Sequence, residues 1–177
     1  NQVSSNKIQA ARYGASLLGG PSNKISGNII TNARDVGLDI GTDNSEIFEN
    51  TISSCGTGLF KAYGRANNRI YHNNFIDNTA SAAIGQKPYP YSPDDPVNTW
   101  NLPFPDGGNY YSDFTTPDNF YGYLQDMEGS DRIVDASKIF NTNNADRLPF
   151  ALPDRWKVSD RIPPGKITNL HTVNITR

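Results

Sequence analysis

A chain of 177 residues with 36% hydrophobic side chains allows one domain, or one domain with an appended piece, and is long enough to bury a core. A net charge of −2 and a pI near 5.6 leave no basic stripe of the kind that nucleic acid requires. The single cysteine, Cys55, excludes an internal disulfide and a thiolate zinc site, and no apolar run approaches the length of a bilayer span.

From Asn1 to about Gly85 the chain repeats itself. Asn6-Lys7-Ile8, Asn23-Lys24-Ile25, Asn28-Ile29-Ile30, Asn50-Thr51-Ile52 and Asn73-Asn74-Phe75 are copies of one Asn-x-aliphatic (or aromatic) unit, and Asn28, Asn50 and Asn73 lie 22 to 23 residues apart. A fixed period of that length predicts a parallel β-solenoid, in which each inward side chain stacks on its equivalent one coil away and each corner asparagine bonds to the next. About four coils fit. Each also carries a Gly-aliphatic strand, seen at Tyr13–Leu17, Val36–Ile40, Gly58–Phe60 and, in worn form, Ala82–Ile84. Period-two alternation points Leu38, Ile40 and Leu59 inward and Asp39 and Phe60 outward. Gly and Asn at the corners are expected to supply positive φ.

After Gly85 the composition changes. Residues 88–105 hold six of the twelve prolines, which forbid a helix or a central strand there, and aromatic residues crowd the stretch from Tyr89 to Tyr123. Covering the exposed end of a solenoid accounts for such a cluster. A second reading takes Tyr89, Tyr91 and Trp100 as a preorganised platform on which sugar rings stack. Beyond Ile162 a linker leads into an alternating strand at Thr172–Thr176, read as the start of a further sandwich module. The chain also opens inside a repeat, so further coils are expected upstream.

If the Gly-aliphatic strands form one sheet, its outer face presents Ser16, Asp39 and Phe60 as a row, with Arg12, Arg34 and Asp35 on one side and Lys61, Tyr63 and Arg65 on the other. Coils about 4.8 Å apart let residues one coil apart touch the same sugar. Eliminative cleavage of a uronate needs a cation to neutralise the carboxylate and a base beside the acidic carbon. Arg65 or Arg34 fits the first role and Lys61 or Tyr63 the second, with Asp39 in the same group. Hydrolysis instead needs two carboxyls at a set separation, and Asp39 has no acid in the same row on the next coil. The bland alternative is a solvated surface. Asp126, Glu128, Asp131 and Asp135 place four oxygen donors within ten residues, a candidate calcium loop, or else a hydrated acidic one. His72 reads as an exposed lone histidine. With Met127, Cys55 and two distant histidines, no soft-ligand set for copper is present.

The Asn-x-Ile coils resemble the right-handed β-helix repeats of carbohydrate-binding and sugar-hydrolase proteins and of the copper-processing periplasmic proteins of nitrous-oxide reductase maturation. Gly108-Asn109-Tyr110-Tyr111-Ser112-Asp113-Phe114 is similar to the Gly-Asn-Tyr-Trp-Ser-Asp-Tyr signature that closes many such helices in methanogen surface proteins. Gly129-Ser130-Asp131 and Asp146–Phe150 stand where those relatives carry an Asp/Gly-rich run and an Asp-x-x-Pro-Leu ending, without the repeated Asp-Gly pairs. Pro163–Leu170 resembles the opening of their fibronectin-like modules. The whole chain most resembles the disaggregatase-related family. That resemblance implies a secreted or cell-surface archaeal protein that degrades an acidic, chondroitin-like wall polysaccharide, by lyase or hydrolase chemistry. The rival is a non-catalytic module that binds glycan or builds the envelope.

The expectation is therefore an all-β chain: a right-handed parallel β-helix with an aromatic, proline-rich C-terminal cap over residues 1–160, and a linker with a truncated module over 161–177. Acidic polysaccharide is the expected partner. Neither nucleic acid nor membrane insertion is expected, and Ca²⁺ is the one candidate cofactor.

Overall fold

The computed structural model describes residues 1–9, 12–85 and 95–158. The chain winds through four coils of three strands each. The first holds β1 (Gln2–Ser4), β2 (Lys7–Gln9) and β3 (Tyr13–Leu18), and the second β4 (Lys24–Ser26), β5 (Ile29–Thr31) and β6 (Val36–Gly41). The third holds β7 (Glu46–Phe48), β8 (Thr51–Ser53) and β9 (Thr57–Ala62), and the fourth β10 (Arg69–Tyr71), β11 (Asn74–Ile76) and β12 (Ala80–Gly85). Equivalent strands stack in parallel into three sheets, β1-β4-β7-β10, β2-β5-β8-β11 and β3-β6-β9-β12, the second extended by β13 (Tyr110–Tyr111). The all-β parallel solenoid expected from the repeat is the fold found.

Its core is a set of vertical columns. Ile25, Ile47 and Ile70 stack in the first sheet; Ile8, Ile30, Ile52, Phe75 and Tyr111 in the second; Ala15, Leu38, Leu59 and Ala82 in the third. Each fully enclosed Ile or Leu contributes roughly 1.5–3 kcal/mol of burial, so the columns carry much of the stability. The corners are held by amides. Asn6, Asn28, Asn50 and Asn73 each donate a backbone N–H and a side-chain N–H to the Oδ1 of the next rung at 2.8–3.1 Å, the last of these acceptors being Asn109, which donates in turn to Asp146. A second ladder runs Asn1, Asn23, Ser45, Asn68, Asn98 and Asn144. Buried amides are tolerated only when their hydrogen bonds are made, and here the neighbouring coil makes them.

Positive φ falls on Gly27 but also on Ser5, Glu49 and His72, each the residue before a ladder asparagine. The glycines of the third sheet serve a different purpose. Gly14, Gly37 and Gly58 lie one over another where the chain turns into that sheet, and a Cβ on Gly37 would sit 2.5 Å from Ile52 Cγ2 and 2.7 Å from the Gly58 carbonyl oxygen. Gly37→Ala is therefore expected to cost roughly 3 kcal/mol, the upper end for overpacking a core. Urea unfolding reads this directly, and an unchanged midpoint would show that the coils can move apart.

The cap continues the columns with larger rings before closing them. Thr99 bridges to Arg69, so Trp100 follows Ile70, while Tyr111 stacks on Phe75 with ring centroids 5.2 Å apart. Trp100 is 1% exposed, packs on Phe140 and donates its Nε1–H to Asn144 Oδ1 at 3.2 Å. It is core, and the sugar-platform expectation is corrected for this residue; Tyr89 and Tyr91 lie outside the described residues, as does the expected module start over 161–177. A smaller core of Ile133, Leu148, Phe150 and Trp156 completes the cap. His72 is buried rather than exposed. Its ring stacks on Trp156 at 5.6 Å, and its Nε2 lies 2.8 Å from the Asp106 carbonyl oxygen.

Candidate functional site: a groove on the outer face of the third sheet

Because side chains alternate, the outer face of the third sheet is built from two rows. Ser16, Asp39, Phe60 and Ala83 form one, and Leu18, Gly41, Ala62 and Gly85 the other. The second row is small except at Leu18, and that makes a trough. Asp39 and Phe60 line a groove of about 350 Å³ whose floor is Gly41, Ala62 and Gly85 and whose rim is Tyr63 and Arg65. Four residues expected at a site thus come together, Asp39 and Phe60 on strands in register and Tyr63 and Arg65 on the turn that follows β9. Tyr63 is 42% exposed.

Lys61 does not join them. Its register partners are Ile40 and Ile84, so it occupies an inward, aliphatic position, and it is 0% exposed. The expectation that it leaves the strand on the outer side is corrected: with Leu59 in and Phe60 out, alternation itself sends Lys61 in. Burial pulls its ammonium below the ordinary lysine range, while the Asp95 carboxylate opposes that shift. The ammonium pairs with Asp95, itself 0% exposed, and donates to the Arg65 carbonyl oxygen at 2.7 Å. Asp95 Oδ1 accepts the Gly64 N–H at 2.8 Å. Lys61 and Asp95 therefore grip the turn that carries Tyr63 and Arg65 from beneath, as positioning residues. Asp95 was missed by sequence reasoning, since nothing local marks it as the counter-ion of a residue 34 positions away.

Arg65 is oriented from its other side as well. Its Nη1 lies 3.0 Å from Asp43 Oδ2, and Asp43 Oδ1 accepts the Ala66 N–H at 2.8 Å. That N–H and the guanidinium hold the Asp43 carboxyl below the usual carboxylate range. Arg34 is exposed and does not line the groove; it shares Asp35 with Arg12, at 3.2 and 2.6 Å. Asp39 is the only carboxylate in the groove lining among the described residues, so the two-carboxyl arrangement of a glycoside hydrolase is not assembled there.

The acidic loop of the cap is occupied by its own backbone. Asp131 Oδ2 accepts the Gly122 N–H at 3.1 Å and Gln125 Nε2 at 2.9 Å, and Asp135 accepts the N–H groups of Asn119 and Phe120 at 3.0 and 3.1 Å. Asp126 and Glu128 point into solvent. No three His, Cys, Asp or Glu side chains converge among the described residues, so the calcium expectation is corrected: two of these acids staple a hairpin instead.

A family model described as "Periplasmic copper-binding protein (NosD)" matches residues 1–116. No curated protein and no solved structure matches the chain. Among the described residues the soft donors do not fit a copper centre. Cys55 is buried with its thiol directed to the Ser53 carbonyl oxygen at 3.2 Å, His72 is stacked within the cap, and Met127 stands on an exposed hairpin.

Proposed function

The chain belongs to the NosD family, and from that membership and the groove we propose an extracellular or envelope β-helix module that holds an acidic polysaccharide along the outer face of its third sheet. The periplasmic description of the family supports the location. The observation that carries the reading is the convergence of Asp39, Phe60, Tyr63 and Arg65 on one trough across consecutive coils. Phe60 offers a ring for the apolar face of a sugar, Arg65 a fixed cation for its carboxylate, and Asp39 an acceptor for hydroxyls. The parallel stacking runs the trough across neighbouring coils, which suits a polymer. Copper enters none of this, because the described donors do not assemble around one point.

One geometric fact favours a second reading, eliminative depolymerisation of the disaggregatase type. Tyr63 stands two residues from Arg65 on the same anchored turn, so a base and a carboxylate-neutralising cation share one rim. Arg65→Gln is expected to weaken binding of a uronate-containing wall polymer by about tenfold, the loss of one charge-assisted contact. Incubation with that polymer, following unsaturated products by absorbance and reducing ends in parallel, tests the chemistry. Unsaturated products that vanish in Tyr63→Phe establish a lyase; reducing ends alone would indicate hydrolysis and reject Tyr63 as the base; neither leaves binding as the function. Unweakened binding by Arg65→Gln would remove the groove from consideration.

A further inference from the structure

The cap carries a second cleft, of about 560 Å³, bordered by Thr99, Asn101, Tyr123, Gln125, Ser137 and Arg147. That volume is within the range of about 300–1,000 Å³ usual for small-ligand sites. Two of its features are unexplained by packing. Tyr123 and the adjoining Leu124 are 72% and 71% exposed, although they sit on a firmly held turn. The turn joins β14 (Phe120–Tyr121) to β15 (Met127–Glu128), and Asp131 ties it to the cap through Gly122 and Gln125. Asp135 fixes the hairpin's first strand through two further N–H groups. An apolar side chain so rigidly displayed loses little conformational entropy when a ligand covers it.

Arg147 faces the same cleft. Its backbone N–H donates to Asn101 Oδ1 at 3.0 Å, and its neighbours Asp146 and Leu148 are buried, so its base is immobile. Its guanidinium has no carboxylate partner among the described residues, in contrast to Arg12, Arg34, Arg65 and Arg69, each paired with an acid. The one acid lining the cleft among the described residues, Asp135, already accepts two backbone donors. An unpaired guanidinium, a displayed phenol ring and the hydroxyls of Thr99 and Ser137 together match one ligand chemistry: a sugar ring bearing a carboxylate.

We propose that the cap cleft is a second saccharide site, which binds a uronate residue by stacking on Tyr123 and pairing with Arg147. It shares a substrate class with the groove but none of its residues. Titration calorimetry with a hyaluronan tetrasaccharide, and with the same tetrasaccharide carboxyl-reduced, separates the two. Wild-type protein is expected to show two binding events. Tyr123→Ala and Arg147→Gln should each weaken the same one of them by about tenfold or more; carboxyl reduction should weaken both events in the wild-type protein, and in Arg147→Gln it should weaken the groove event while adding nothing further to the cap event. Both substitutions are at exposed positions, so folding is preserved. Binding untouched by either variant but lost in Arg65→Gln would overturn the cap site and leave the groove standing. Binding lost in Arg147→Gln but unaffected by Arg65→Gln would retain the cap site and reject the groove. No binding by wild-type protein would overturn both.

Discussion

Replacing Asp95 with alanine is expected to lower the unfolding free energy by roughly 3–5 kcal/mol, the usual cost of leaving one charge of a buried pair without its partner. Lys61 and Asp95 are both 0% exposed, and the Lys61 ammonium sits in a column otherwise made of Leu17, Ile40 and Ile84. With Asp95 removed, the ammonium keeps only the Arg65 carbonyl oxygen, and the Gly64 N–H loses its acceptor. Lys61→Met should cost a similar amount, because it strands the carboxylate. The combination Lys61→Met with Asp95→Asn removes both charges at nearly constant volume and is expected to return to within about 1 kcal/mol of the wild-type protein, since neither charge is left buried alone and the new amide oxygen still accepts the Gly64 N–H. Chemical denaturation of the wild-type protein, Lys61→Met, Asp95→Asn and the combination completes the cycle. Single variants that each cost less than about 1 kcal/mol would mean that water reaches the pair. The same variants bear on the groove, because the pair anchors the turn of Tyr63 and Arg65: Asp95→Ala should weaken saccharide binding even under conditions where the variant is fully folded.

The second large effect is a dependence of stability on pH that runs against the common acidic pattern. Asp146 ends the main amide ladder. Its Oδ2 accepts the Asn109 N–H at 2.8 Å, the Asn109 side-chain amide at 3.1 Å and the Tyr111 hydroxyl at 3.1 Å, and its Oδ1 accepts the Leu148 N–H at 3.1 Å. Each rung from Asn28 to Asn109 both accepts and donates, but the last has no further rung to donate to, so an acceptor-only carboxylate fits. Complete burial nonetheless favours the neutral acid, and against the four donors it lifts the carboxyl from 3.8 to about 7. A native carboxyl raised by about three units binds more protons than the unfolded chain between those two values. Its contribution is therefore fully present below about pH 3.8 and is lost as pH rises through about 7. At about 1.36 kcal/mol per unit the whole span is worth about 4 kcal/mol, of which roughly 2–3 kcal/mol falls between pH 5 and pH 8. Urea unfolding at those two pH values should show the decline, and Asp146→Asn, neutral throughout, should abolish it. A wild-type slope that matches the variant's would mean that the four donors keep the carboxylate ionised.

The coils could be read from the sequence because their causes are local and repeated. A spacing of 22 to 23 residues between Asn28, Asn50 and Asn73 is set by one turn of chain, and each rung's hydrogen bonds go to its own copy on the next coil. Alternation likewise placed Asp39 and Phe60 outward beside each other. Applied one residue further, the same rule puts Lys61 inside; its charge suggested otherwise, and charge was the poorer guide because a counter-ion waited in the core. Trp100 follows its first reading, as part of the cap, and not the second, as a sugar platform. An aromatic residue in a proline-rich stretch looks like a surface platform until the Arg69–Thr99 bridge shows it continuing the Ile25, Ile47 and Ile70 column.

By itself the sequence determined the architecture, the register of the coils and which face of the third sheet carries Asp39 and Phe60. Periodicity makes each of these a short-range inference, since one coil's environment is its neighbour's copy. Only the tertiary structure decided how the cap closes the last coil, which acids are spent on backbone N–H groups, that Lys61 is buried and that Arg147 has no acid beside it among the described residues. These depend on contacts such as Lys61 with Asp95 and Asn109 with Asp146, made once between segments that share no period. Partners of that kind are chosen by packing and by the cost of burying charge, and neither is written in the spacing of residues.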